Sequence, residues 1–312
     1  MAKNKTLEKT IRIGTRESQL ALWQAHTVEK KLNDLGYKTE IVKVKSEGDI
    51  ILDKPLYELG ITGVFTKTLD IALINGQIDI AVHSMKDVPT ALAKGVIQTA
   101  VLERHNPNDI LVFNENTDFL NQEKAIVATG SLRRKAQWLN RYPNHEITDL
   151  RGNVNTRLQK LKDNRWNGAV FAQAGLERID VKPENNIVLD WMIPAPSQGA
   201  VVIVCMEGNN FCREATEKLN HKQTEICTYI ERDFLRTLEG GCTAPIGALA
   251  EIKDNTIHFQ GVLLSLDGKQ KIEINKIVDI QSYLDAGNSF ALEVLSDGGR
   301  ELMRDIKKNL NQ

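Results

Sequence analysis

Two stretches of this chain open in the same way, and that repetition limits its fold more than any other feature. Ile13-Gly14-Thr15-Arg16-Glu17-Ser18 runs into a helical pattern containing Trp23, and Ala128-Thr129-Gly130-Ser131-Leu132-Arg133-Arg134 runs into one containing Trp138. Each reads as a strand, a small-residue turn, a Ser N-cap and a helix with an exposed first turn. Further short apolar runs, at 39–44, 78–82, 110–113, 168–172 and 200–204, alternate with helical patterns. One of these spaces Leu20, Trp23, Val28, Leu32 and Leu35 on a face and closes at Gly36, where a C-cap glycine belongs. Such alternation predicts an α/β fold of parallel sheets with helices on their faces. Beyond Thr224 the pattern changes: Ile226, Ile230, Phe234 and Leu238 space like a helix, and 247–252 and 256–265 read as strands. A final helix, from about 289 to 309, is interrupted or kinked by Gly298-Gly299. These elements predict a small C-terminal α+β domain.

At 312 residues the chain is long enough for two domains, or three if one is small. A net charge of -1 excludes a molecule-wide field that would draw it onto nucleic acid or anionic lipid, so any anion site must come from local clustering. The longest apolar run, 200–206, falls far short of the ~20 residues that span a bilayer. The N-terminal lysines have no apolar stretch behind them, so the expectation is a cytoplasmic chain without a membrane. Cys205, Cys212, Cys227 and Cys242 lie too far apart for a C-x-x-C pair and give no metal-ligand spacing; no metal is expected.

The clustering is there. Of fifteen arginines, seven fall between 133 and 178: Arg133, Arg134, Arg141, Arg151, Arg157, Arg165 and Arg178. Guanidinium groups grip carboxylate or phosphate bidentately, and a helix start offers free N–H groups to the same anions. Scattered surface charge is the competing reading, although Arg133-Arg134 and Arg151 stand at element edges where sites form. His83-Ser84-Met85-Lys86-Asp87-Val88-Pro89 follows the run 78–82 at the strand end where α/β proteins place ligands. In Glu239-Gly240-Gly241-Cys242-Thr243-Ala244-Pro245, the glycines and the proline force an irregular loop around the thiol. That thiol reads equally as an approachable nucleophile and as a small hydrophobe under a turn. Cys205 reads as core.

In order along the chain, these stretches resemble the hydroxymethylbilane synthase (porphobilinogen deaminase) family. The matching motifs are 12–18 with Leu20-Ala21-Leu22-Trp23-Gln24, 83–89, Ser131-Leu132-Arg133-Arg134, Leu150-Arg151-Gly152-Asn153-Val154 with Thr156-Arg157, Ala174-Gly175-Leu176, Gln198-Gly199-Ala200 and Glu239-Gly240-Gly241-Cys242. The resemblance implies two periplasmic-binding-protein-like lobes plus a small C-terminal α+β domain, divided as 1–104 with 199–221, 105–198, and 222–312. It implies a transferase that joins four porphobilinogen molecules head to tail, with loss of ammonia. Its primer would be a dipyrromethane cofactor held by a thioether to Cys242. The product, 1-hydroxymethylbilane, would pass to uroporphyrinogen-III synthase, and the chain would act as a monomer without nucleic acid. Asp87 would be the catalytic carboxylate. Lys86, Ser131, Arg133 and Arg134 would contact cofactor carboxylates. Arg16, Ser18, Arg151, Arg157 and Arg178 would contact the second ring and incoming substrate, with Gln198 at the hinge or site.

The chain departs from the family pattern at Glu47 before Gly48-Asp49, at Gly130 in place of the usual Ser, at Thr68 in Lys67-Thr68-Leu69-Asp70, and at Cys205-Met206. A non-catalytic anion-binding protein of the same two-lobed fold would explain the arginines, but neither Asp87 nor the Gly-Gly-Cys loop.

Overall fold

The computed structural model describes residues 9–45, 66–238 and 244–310. The first half runs β1 (Ile11–Thr15), α1 (Gln19–Asp34), β2 (Thr39–Lys43), α2 (Lys67–Ile74), β3 (Ile80–Ser84), β4 (Val96–Val101), β5 (Asp109–Phe113), β6 (Ile126–Ala128) and α3 (Leu132–Arg141). The chain continues through β7 (Glu146–Thr148), α4 (Val154–Asp163), β8 (Gly168–Ala172), α5 (Gln173–Glu177), β9 (Asn186–Val188), β10 (Val201–Met206) and α6 (Asn210–Glu217). It ends with α7 (Lys222–Thr237), β11 (Ile246–Lys253), β12 (Thr256–Leu264), β13 (Lys271–Asp279), α8 (Tyr283–Val294) and α9 (Arg300–Leu310). The described residues fall into two compact units: 9–45, 66–105 and 200–225 form the first, and 106–199, 226–238 and 244–310 the second.

The first unit is built on one five-stranded sheet of order β2-β1-β3-β10-β4. Both faces are covered, and alternate residues of each strand serve opposite sides. Ile80, Val82, Ile203 and Cys205 pack with Val28 and Leu32 of α1, whereas Ala81, Val202 and Val204 pack with Leu69 and Leu73 of α2.

The second unit carries a sheet of order β7-β6-β8-β5-β9, the same arrangement once strands are matched by position. Its two cores centre on Phe171 with Ile110 and Leu161, and on the fully buried Trp138 with Leu111 and Val170. The same unit holds a three-stranded antiparallel sheet, β11-β12-β13. There Phe234 of α7, Phe259 and Phe290 of α8 form the centre of an α+β core.

The α/β class and the C-terminal α+β part are as the sequence predicts, but the sheets are mixed rather than wholly parallel: β1 lies parallel to β2 and β3, and β6 to β7 and β8, as expected. β10 runs antiparallel to β3 and β4, and β5 antiparallel to β8 and β9. A run such as Val201–Val204 is buried on both faces in either direction, so its apolar content carries no direction. The expected final helix is two helices, α8 and α9, separated at Leu295–Gly299, where Gly298 adopts φ 92°. Among the described residues no helix is long and apolar enough to cross a membrane.

Candidate active site

The matching sheets place matching helix starts at their strand ends. After β1, Ser18 caps α1 by accepting a hydrogen bond from Ala21 N–H at 3.3 Å. After β6, Ser131 caps α3 by accepting one from Arg134 N–H at 3.5 Å. Each cap satisfies one orphan amide and leaves the others of the first turn pointing out of the helix.

In the first unit, β3 ends in a single 3-10 turn, Met85–Asp87, anchored by Met85 N–H donating to Ala200 O at 3.0 Å. The buried Met85 fixes the turn, and Lys86 and Asp87 stand half-buried beside it. Asp87 lines one pocket together with Arg16, Ser18, Gln24, His83 and Ser84. Gln24 donates to the Ser84 hydroxyl at 2.8 Å, fixing the wall of that pocket. Three of the sequence candidates, Arg16, Ser18 and Asp87, are therefore brought together, with Lys86 adjoining.

In the second unit the arginines behave differently. Arg133 and Arg134 are buried, and both pair with Asp109, at 2.7 Å each. Arg133 also donates to Ile193 O at 2.9 Å, and Arg134 to Val170 O at 2.9 Å. Gln198 donates to Asp109 Oδ1 at 2.8 Å and to Pro107 O at 2.7 Å. Burial alone would raise the Asp109 carboxyl; the two guanidinium groups and Gln198 instead hold it well below the usual carboxylate range. Burial pulls Arg133 down and Asp109 pushes it back. The cluster keeps one net positive charge, in a geometry set by internal bonds. Asp109 is the residue the sequence reading missed, since a lone Asp before an apolar run looks like a surface residue.

The remaining candidates lie around two helices of the second unit, α4 and α5. Arg151 is buried before the turn in which Asn153 caps α4, and Arg157 Nε donates to Gly152 O at 2.7 Å. Arg178, closing α5, donates to Gly199 O at 2.5 Å, and burial lowers it to about 10, which leaves it charged at neutral pH. Ser131 lines a second pocket with Gly130, Lys135 and Asp149. At Gly130 a Cβ would lie 2.6 Å from Leu150 O, so this backbone leaves no room for the serine of the family pattern without a shift. Thr68 lies in the first turn of α2. Cys242 with its Gly-Gly loop, and Glu47, lie outside the described residues. Cys205 and Cys212 are buried, and burial pushes their thiols up to about 11 and about 12, which suits core residues. No group of three or more His, Cys, Asp or Glu is placed to hold a metal among the described residues.

Fold and site define an α/β protein with two serine-capped, arginine-bearing strand-end sites, one with Asp87 half-buried in its pocket and the other with its arginines paired to the buried Asp109. Residues 11–214 match the family model for porphobilinogen deaminase, dipyromethane cofactor binding domain, and residues 225–296 match that for the porphobilinogen deaminase C-terminal domain. A probable porphobilinogen deaminase of Methanocaldococcus jannaschii is 41% identical over 277 residues, covering 86% of this chain and 94% of that protein. The porphobilinogen deaminase of Carboxydothermus hydrogenoformans is 37% identical, covering 98% and 100%, and that of Campylobacter hominis 39%, covering 94% and 97%. A solved probable amino-acid ABC transporter extracellular-binding protein from Bacillus subtilis is similar at TM-score 0.43 and 14% identity, covering 68% of this chain and 90% of that one. The chain belongs to the porphobilinogen deaminase family. It is a transferase of tetrapyrrole biosynthesis that works with a dipyrromethane cofactor.

Proposed function

We propose that the chain is a hydroxymethylbilane synthase that joins four porphobilinogen molecules head to tail and releases 1-hydroxymethylbilane by hydrolysis. The observation that carries this reading is the pocket at the end of β3, where Asp87 stands with Arg16 and Ser18. Porphobilinogen presents an acetate, a propionate, a ring N–H and an aminomethyl group. Arg16 and Ser18 match the carboxylates. The Asp87 carboxylate matches the ring N–H, whose positive charge grows as ammonia departs.

The donors at the strand ends are guanidinium, ammonium, hydroxyl and helix N–H groups, all suited to carboxylates, so the residues present fit a dipyrromethane. When bound, that cofactor supplies the primer to which pyrroles are added. Cys242 would hold it by a thioether, and Lys86, Ser131, Arg133 and Arg134 would engage its carboxylates. Because Asp109 neutralises half of the Arg133–Arg134 charge, that pair acts as a fixed cradle rather than a mobile grip. Arg151, Arg157 and Arg178 would hold the lengthening chain. Gln198, tied to Asp109, would keep the Gly199 turn in place.

The division into 1–104 with 199–221, 105–198, and 222–312, the first two as lobes of binding-protein type, is supported by the three separate sheets. Cytoplasmic location, a monomeric state and delivery of the product to uroporphyrinogen-III synthase complete the proposal. Incubating the purified chain with porphobilinogen should release four ammonia molecules for each bilane formed. Ligand binding without ammonia would instead favour the non-catalytic anion-binding protein.

A further inference from the structure

We propose that His83 is a further substrate contact of this site, its Nε2 accepting a hydrogen bond from the leaving aminomethyl nitrogen of porphobilinogen. The inference rests on the function proposed above. His83 lies one residue before the end of β3 and is 6% exposed. It lines the same pocket as Arg16, Ser18 and Asp87. Its Nε2 is buried and has no hydrogen-bond partner among the described residues. Native proteins rarely leave such an atom unsatisfied, so one inside a ligand pocket points to a ligand group.

The chemistry of the substrate selects that group. Its carboxylates are acceptors and are matched by Arg16 and Ser18; its ring N–H is a donor and is matched by Asp87. The aminomethyl nitrogen remains, a donor that needs an acceptor. Of the other polar side chains of the wall, Gln24 and Ser84 are bonded to each other and Thr66 is itself already engaged. Burial first, and then the nearby Arg16, lower the His83 imidazole to about 4, so at neutral pH it is uncharged and able to accept. An imidazolium would repel the substrate's ammonium. The assignment puts the ring proton on Nδ1. As the C–N bond breaks, its electron pair leaves with the nitrogen as ammonia and the positive charge stays on the ring nitrogen opposite Asp87. His83 exchanges no proton; it orients the bond that breaks.

The test uses the full chain loaded with its cofactor. His83→Phe should lower kcat/KM for ammonia release about 10-fold to 100-fold, the loss expected for one hydrogen bond to a charged group, with KM carrying part of the change. His83→Gln, which keeps an acceptor at the same reach, should recover most of it. An analogue with hydroxymethyl in place of aminomethyl, a neutral donor, should be less sensitive to His83→Phe. Independently of turnover, an aminomethylbenzene diacid, which cannot expel ammonia, should shift the 15N signal of His83 Nε2 in the wild-type protein, and its methyl counterpart should not. Wild-type kcat/KM in His83→Phe, or an unmoved Nε2 signal with the amine probe, would overturn the assignment. If the wild-type chain itself releases no ammonia, the proposed function fails, and the amine probe still decides whether His83 receives an ammonium.

Discussion

The two five-stranded sheets share a strand order and a Ser-capped helix after the equivalent strand, yet they handle charge in opposite ways. In the first, the equivalent of the β8 end carries Lys86 and Asp87 half-buried on a 3-10 turn, beside a neutral histidine. In the second, Arg133 and Arg134 are buried and already paired with Asp109. One topology has thus been given two tasks. The first strand end offers a carboxylate able to meet a developing cation. The second offers cations whose desolvation was met on folding, so they hold their geometry before any ligand arrives.

Breaking each sheet's central carboxylate should separate the two tasks. The largest effect is expected at Asp87→Asn, which should cut turnover by about a thousandfold while leaving the unfolding transition in place. Wild-type rates in that variant would remove Asp87 from the chemistry. Asp109→Asn should act on stability instead, because it strands two buried guanidinium charges; about 3–5 kcal/mol should be lost in denaturant unfolding. The control is Asp79→Asn, which weakens the bidentate pair with Arg12, half open to solvent on the Arg12 side; a smaller loss of about 1–2 kcal/mol is expected.

His83 sharpens the comparison through pH. Its folded value of about 4 lies below the unfolded 6.5, so the unfolded chain takes up the proton first as pH falls. Stability is intact above pH 6.5 and declines toward pH 4 by about 3 kcal/mol, and His83→Phe should flatten that part of the profile. Asp109, also held low but in its charged form, contributes stability that is lost as pH falls through and below the ordinary carboxylate range. The smallest effects belong to the caps. Ser18→Ala and Ser131→Ala should each cost about 1 kcal/mol, and nearly equal losses would confirm that the two helix starts are equivalent.

What was legible in the sequence follows from which interactions are local. Ser18 and Ser131 announce their helices because a cap is satisfied within three residues, and Gly36 follows α1 with φ 87° for the same reason. The direction of β10 and β5 was not legible, because apolar runs buried on both faces look alike in either sense. β13 alternates Ile272 and Ile274 with charged residues, a period of two obscured by its lysines and glutamate. Asp109 was invisible because its partners lie 24, 25 and 89 residues away. Arg16 and Ser18 stand out as one of two matching helix starts and Asp87 by its place at a strand end, their roles following only from the motif resemblance, and the fold supplies the pocket that unites them.

The central claim is that this chain builds its product on a pyrrole primer attached to Cys242. The most direct test is the intact mass of the purified protein, with peptide mapping around Cys242 and reaction with Ehrlich's reagent. The account predicts an excess of two linked pyrrole units confined to the Cys242 peptide and lost in Cys242→Ala. A bare Cys242 thiol that persists after incubation with porphobilinogen would contradict it.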